Sequence, residues 1–309
     1  MSVTFRSIAI GVASCLPGLR GIDGRRTGGT SSARYCYAVW MRHLALLAKE
    51  GRGGPFDTVV EIGPGDSNGV GLAALLSGSR RYIGLDARPY ASADRNADIL
   101  EELVELFRRG ASIPDHHEFP GMFPRLASYR YPADLEPDLS EARLAQIRRA
   151  VRQEAPPDDQ DAIFRSIAPW RPGEIPDASV DLTLTQTVFH LVEDLPGLYA
   201  DMARWTKPGG LISHELDFKS LGRTREWNGH WTCSDAVWDL LQRHRTNRMN
   251  REPFSRHLAL AEGAGFEVVQ AVRQTRPSEI SRDRLAPRFA HMSDEDLVTS
   301  SGMIQAVRI

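Results

Sequence analysis

Short β-branched runs alternate along this chain with longer stretches whose apolar positions return every three or four residues. That alternation of two periods predicts strands interleaved with amphipathic helices, an α/β chain. The run Val59 to Ile62 reads as a buried strand that breaks at Gly63 and Gly65, and Gly69 to Leu76 reads as the helix behind it. A second strand, Arg81 to Leu85, ends at Asp86. Before them, Ala33 to Glu50 has Tyr37, Trp40, Met41, Leu44 and Leu47 at helical spacing, a stripe expected to face the core. After them, Asp98 to Arg109 is a clean amphipathic helix carrying Ile99, Leu100, Leu103, Val104, Leu106 and Phe107. Further strands are expected at Ala162–Ile167, Val180–Thr187, Leu211–Leu216, Gly265–Val272 and Met303–Ile309. Helices are expected at Leu195–Trp205, Asp235–Arg243 and Ser255–Gly263. About 75 residues separate Asp86 from the next strand, far more than one crossover needs. They hold a Pro- and aromatic-rich piece and a charged helix, Leu139–Gln153, and residues 111–157 read as an inserted cap on the substrate side.

The turn after the first strand carries the chemistry. Glycine there lets the backbone turn sharply and a ligand approach without a Cβ in the way. A helix N-terminus offers unpaired N–H groups and a positive dipole end to an anion. Asp86 follows Gly65 by 21 residues, near the ~20-residue spacing at which a carboxylate meets ribose hydroxyls in nucleotide-binding folds. A pyrophosphate is disfavoured, because Pro64 lacks an amide and Glu61 places an anion at the site. Glu61 suits a ligand with an ammonium group, and S-adenosylmethionine combines an amino acid end, a ribose and an adenine.

Composition excludes some partners. A net charge of −2 gives no footprint for nucleic acid or an anionic membrane, although Arg20–Arg26 and Arg243–Arg251 are local basic clusters. No apolar run approaches the ~20 residues of a membrane span. The apolar stretch Ile8 to Leu16 is too short and too thinly flanked by basic residues for a secretory leader, and reads as packing on the domain. Cys15, Cys36 and Cys233 form neither a disulfide framework nor a zinc spacing, and fit a reducing compartment. Asp115-His116-His117-Glu118 reads as a solvated loop, so no metal is expected.

From Thr58 to Asp86 the chain resembles the cofactor motif of class I S-adenosylmethionine-dependent methyltransferases. A second resemblance runs from Val180-Asp181-Leu182 to Lys207-Pro208-Gly209-Gly210-Leu211, the form of a strand followed later by a tight turn into the next. The resemblance implies a Rossmann-like, seven-stranded, mostly parallel sheet closed by an antiparallel hairpin, as one domain over 1–309 with an N-terminal helical region at 1–57. It implies S-adenosylmethionine as cofactor, with Glu61 serving the methionine amino group and Asp86 the ribose. Gly63, Pro64, Gly65 and Ala87 belong to the same site. Ile167-Ala168-Pro169-Trp170 falls where the family contacts adenine, with Ala168 where many members have Asp. Gln186 and Thr187 sit at the strand exit that faces the ligand crevice. Ser32 to Trp40, Ile167 to Trp170 and Trp227-Asn228-Gly229-His230-Trp231 together resemble a bacterial subfamily associated with surface-polysaccharide biosynthesis. Its strand exit usually reads Glu-His, where this chain has His190 and Leu191. That subfamily implies a saccharide acceptor, and an enzyme needing S-adenosylmethionine is expected in the cytoplasm.

Methyl transfer to oxygen needs alignment and usually a base for the hydroxyl proton. His190, His214, Asp217 and His230 lie after or near strand ends and are the candidates, with Asp217 suited to orienting a histidine. Trp227 and Trp231 can stack on a sugar or pack in the core. Three alternatives remain beside the sugar methyltransferase: methylation of another small metabolite at oxygen or nitrogen, a cofactor-holding module without catalysis, and an NAD oxidoreductase, which Glu61 and Pro64 disfavour.

Overall fold

The computed structural model describes residues 29–153, 155–156, 159–243 and 248–309. The stretch Ile8–Leu16, Cys15, Arg20–Arg26 and part of the Arg243–Arg251 cluster lie outside the described residues. Helix α1 (Ala33–Lys49) leads into β1 (Thr58–Ile62), α2 (Gly69–Leu76), β2 (Arg81–Leu85), α3 (Ala93–Arg108), α4 (Glu141–Gln153) and β3 (Phe164–Ile167). Then follow β4 (Val180–Gln186), α5 (Leu195–Trp205), β5 (Thr206–Asp217), α6 (Asp235–Gln242), α7 (Phe254–Gly263), β6 (Phe266–Thr275), α8 (Asp294–Val298) and β7 (Thr299–Arg308).

The strands form one seven-stranded sheet in the order β3-β2-β1-β4-β5-β7-β6. The first five are parallel, and β7 runs antiparallel between β5 and β6. This is the fold the sequence predicts. Strand order reverses beside β1, so the carboxyl ends of β1 and β4 border the crevice where open α/β sheets take ligands.

Two apolar layers cover the sheet. One packs α1, α2, α3 and α4 on one face, and the other packs α5 and α7 on the opposite face. The predicted stripe of α1 is fully in the core: Tyr37, Trp40, Met41, Leu44 and Leu47 are all buried. Helix α3 begins five residues before the expected Asp98, because Ser92 caps it by accepting from the Arg95 N–H.

The inserted segment departs from expectation. Its one helix, α4, buries Leu144, Ile147 and Val151 in the α1 layer. The Arg42 guanidinium, buried within α1, donates to the Pro114 and Pro124 carbonyls and so ties the preceding loop to the same layer. No described residue of 111–157 lines the cavity at the strand ends. The described part of the segment packs on the α1 side, where residues 113–135 and α1 line a separate cavity of about 600 Å³.

Candidate active site

A cavity of about 500 Å³ opens at the carboxyl ends of β1, β2 and β4. Glu61, Gly63, Pro64, Gly65, Asp86, Ala87, Gln186 and Thr187 all line it, so eight residues singled out from the sequence converge on one space. Gly63 has φ +75°, and a Cβ there would sit 2.5 Å from Val188, so the turn takes only glycine. Thr187 also adopts a left-handed φ of 54°. That is an unfavourable conformation for a β-branched residue, and it turns the chain sharply out of β4 at the cavity wall.

Glu61 is buried and accepts a 2.7 Å hydrogen bond from the Tyr82 hydroxyl. Asn68 Nδ2 donates to that hydroxyl, and Asn96 Nδ2 donates to Asn68 Oδ1, so a polar chain fixes the carboxyl. Burial pushes the Glu61 carboxyl up to about 8, so it is largely protonated in the empty site. A ligand cation reverses that balance. Asp86 accepts from the Gly65 and Arg88 amides, and burial raises its carboxyl above the ordinary range.

The start of α2 is closed to anions. The Ser67 amide donates to Thr30 Oγ1, the Asn68 amide to Asn96 Oδ1 and the Gly69 amide to Ser67 Oγ. Three amides at this turn are therefore taken by the protein itself. A pyrophosphate finds a carboxylate and occupied donors here, whereas an ammonium finds an acceptor.

A family model described as a methyltransferase domain matches residues 134–213, from the insertion through the middle of β5. Over those residues, about a quarter of the chain, the sequence matches a methyltransferase domain. No curated protein matches the sequence. Solved structures similar to this chain include an S-adenosylmethionine-dependent methyltransferase from Mesorhizobium loti, at 14% identity and a TM-score of 0.43, covering 88% of this chain and 98% of that one. Another is a geranyl diphosphate C-methyltransferase from Streptomyces coelicolor, at 16% identity and 0.44, covering 87% and 79%. Scores this low are a general likeness, and the neighbours' substrates do not transfer to this chain.

The other predicted site residues lie elsewhere. Ile167 is buried in the α5 layer, and neither it nor Ala168 lines the cavity. Trp170, two residues on, does so instead: its amide donates to the Asp86 carbonyl and its ring packs edge-on against Trp205. His214 is fully buried, 4.5 Å from the Phe189 ring and within 3.2 Å of Thr185 Oγ1, on the face away from the cavity. His230 is buried against Trp231. Burial pushes the His230 imidazole down to about 3 and His214 well below the usual range. Neither reaches the crevice as a base.

His190 is half-buried and shares a hollow of about 10 Å³, room for one water, with Asp217, His230 and His257. Its imidazole is pushed down to about 4, by burial first, while Asp217 acts in the opposite direction. Asp217 pairs with Lys219 at 2.9 Å. Trp227 and Trp231 are buried, donating to the Pro277 and Arg251 carbonyls, so both are packing residues.

Several residues at or beside the cavity are not singled out as site residues by the sequence, although the loop at 25–32 reads as able to fold over the cofactor. Gly29, Thr30 and Tyr35 bring the loop before α1 and that helix's first turn over the glycine turn. The Ser32 cap was the available signal, since a cap fixes where the first turn points. Glu215 is buried on the same face as Glu61, pushed up to about 8 by burial, with Oε2 unpaired. A second cleft of about 470 Å³ shares Glu193 and Arg248 with the cavity at the strand ends. It lies between α5, α6 and α7 and had no sequence signature.

Proposed function

We propose that this methyltransferase acts on a hydroxyl of a sugar or glycan precursor in the cytoplasm. The observation that carries the reading is the convergence of Glu61 and Asp86 on one cavity that meets a polar cleft. Glu61 accepts from the ammonium of the cofactor's amino acid end, Asp86 accepts from its ribose hydroxyls, and Trp170 walls the adenine end. The cofactor supplies an electrophilic methyl group. The adjoining cleft mixes carboxylates, guanidinium groups and amides, including Asp239, Asn250 and Arg256, along its walls. Such paired donors and acceptors suit a polyhydroxylated acceptor better than an apolar one.

His190 is the base in this reading. Burial holds its imidazole neutral, and it lines the small hollow rather than the cavity or the polar cleft, so in this reading the acceptor hydroxyl reaches that hollow. Asp217, across the small hollow, steadies the imidazolium that results.

Labelled S-adenosylmethionine incubated with the enzyme and cell glycans tests the assignment. Label in a carbohydrate fraction supports it. Label confined to small amines or other metabolites favours the alternative acceptor class, and cofactor binding without any transfer favours a non-catalytic module.

A further inference from the structure

A buried hydrogen-bond chain ends on Gln186, and its direction can be deduced. Gln305 Nε2 lies 3.2 Å from the His43 carbonyl oxygen and 2.9 Å from Ser213 Oγ. A carbonyl only accepts, so the Gln305 atom facing it is the amide NH₂. The second proton of that NH₂ goes to Ser213 Oγ. Ser213 is fully buried, and its own proton has one partner in reach, His43 Nδ1 at 2.7 Å. His43 is itself buried and pushed down to about 4, hence neutral with a single ring proton. With Nδ1 accepting, that proton sits on Nε2, which donates to Gln186 Oε1 at 3.2 Å. The reverse direction would leave the Ser213 hydroxyl proton without a partner in a closed core, at a cost of about 1–3 kcal/mol.

The chain thus spends the acceptor half of the Gln186 amide on α1. Its NH₂ is left for the cavity that Gln186 lines. Glu61 is paired with Leu184 across β1 and β4, and Gln186 stands one pleat beyond on the same face. A carboxyl acceptor and an amide donor therefore stand side by side, the complement of an amino acid with its ammonium and carboxylate on one carbon.

We propose that Gln186 binds the carboxylate of the cofactor's amino acid end, and that His43, Ser213 and Gln305 are positioning residues that hold its amide in that sense. The proposal rests on S-adenosylmethionine being the cofactor. It adds a residue for the carboxylate and a reason for a polar cluster within the core.

Calorimetry with S-adenosylmethionine and with its decarboxylated analogue tests both halves. Wild type is expected to prefer the carboxylated form by about tenfold or more, the worth of a charge-assisted hydrogen bond. Gln186→Glu keeps the shape and the His43 contact while placing a carboxylate against a carboxylate. It should weaken S-adenosylmethionine by roughly 100-fold and leave the analogue within about threefold. Ser213→Ala removes the link that fixes the tautomer. It should reduce the preference to about threefold and change the His43 ring-nitrogen NMR signals from the Nε2–H pattern. Equal affinity of wild type for both ligands, or equal weakening of both in Gln186→Glu, overturns the proposal while leaving the cofactor assignment intact. Failure of wild type to bind either ligand overturns the assignment as well.

Discussion

On the α1 side of the sheet, Glu61 and Gln186 stand near the carboxyl ends of their strands and line an open cavity. On the α5 side, His214 belongs to the same strand edge yet is enclosed by Phe189, Tyr199 and Thr185. Both faces bury ionisable groups, and on both sides burial favours the neutral form. What separates them is what lies beyond the side chain. Glu61 has a hydrogen-bond chain behind it and a cavity in front. His214 has protein on every side. A titratable residue near a strand end thus becomes a ligand-binding group or a core hydrogen-bonding group according to its face, which a two-residue period decides.

The sharpest way to break this comparison is to remove the imidazoles one at a time. His190→Ala is expected to lower turnover by about 10²–10⁴-fold while cofactor affinity stays nearly unchanged. His214→Ala and His230→Ala should instead lower the unfolding midpoint and leave turnover of the folded enzyme within about tenfold. If His214→Ala loses as much turnover as His190→Ala, the enclosed face takes part in the chemistry and the division between faces fails.

The insertion gives the next largest effect. Ile147→Ala should cost about 2–5 kcal/mol of stability, since Ile147 is fully buried in the α1 layer. Cofactor affinity, measured where the protein is still folded, should not change. A variant that stays stable but loses acceptor turnover would restore these residues to the substrate side.

Asp86→Ala tests the open face at smaller cost, on the order of 1.5–3 kcal/mol of cofactor affinity, from the loss of charge-assisted contacts to ribose. Thermal stability should move little, because Asp86 is only half-buried. Unchanged affinity would remove Asp86 from the ribose role.

Much of this was legible in the sequence. The helix Gly69–Leu76 and the strand Arg81–Leu85 fall where periodicity and glycine breaks place them. The residues that line the cavity were legible because a strand, a glycine turn and a spaced carboxylate are local in sequence. The histidines were not. His190, His214 and His230 look alike as residues near strand ends, and only the packing of Phe189, Trp231 and α7 decides which keeps access to solvent. The insertion hid its packing partner for a related reason. Its aromatic residues signal burial, but the partner they bury against, Arg42 and the α1 stripe, is some 70 to 80 residues away. Gln186 was legible as a strand-exit residue, but its orientation depends on Gln305, at the other end of the chain.

The smallest effect is a pH profile in which the two kinds of buried group pull in opposite directions. Glu61 and Glu215 are raised to about 8 in the folded protein. Between the unfolded carboxyl value and about 8 the native state binds more of these protons, so their contribution falls as pH rises through that window. His43 is lowered to about 4, and His230 and His257 to about 3. Between those values and the ordinary imidazole range near 6.5 the unfolded chain binds more protons, so their contribution falls as pH drops. With more histidines than carboxyls acting below that range and the carboxyls alone above it, the unfolding midpoint should peak near pH ~6.5. Saturating S-adenosylmethionine should flatten the alkaline side, because its ammonium ionises Glu61, and Glu61→Gln should abolish that flattening. Binding calorimetry in buffers of different ionisation enthalpy should accordingly show proton release near pH 7 in wild type and less in Glu61→Gln. Equal proton release in the two proteins would mean that the ammonium meets a different group, and that Glu61 belongs with the enclosed residues of the opposite face.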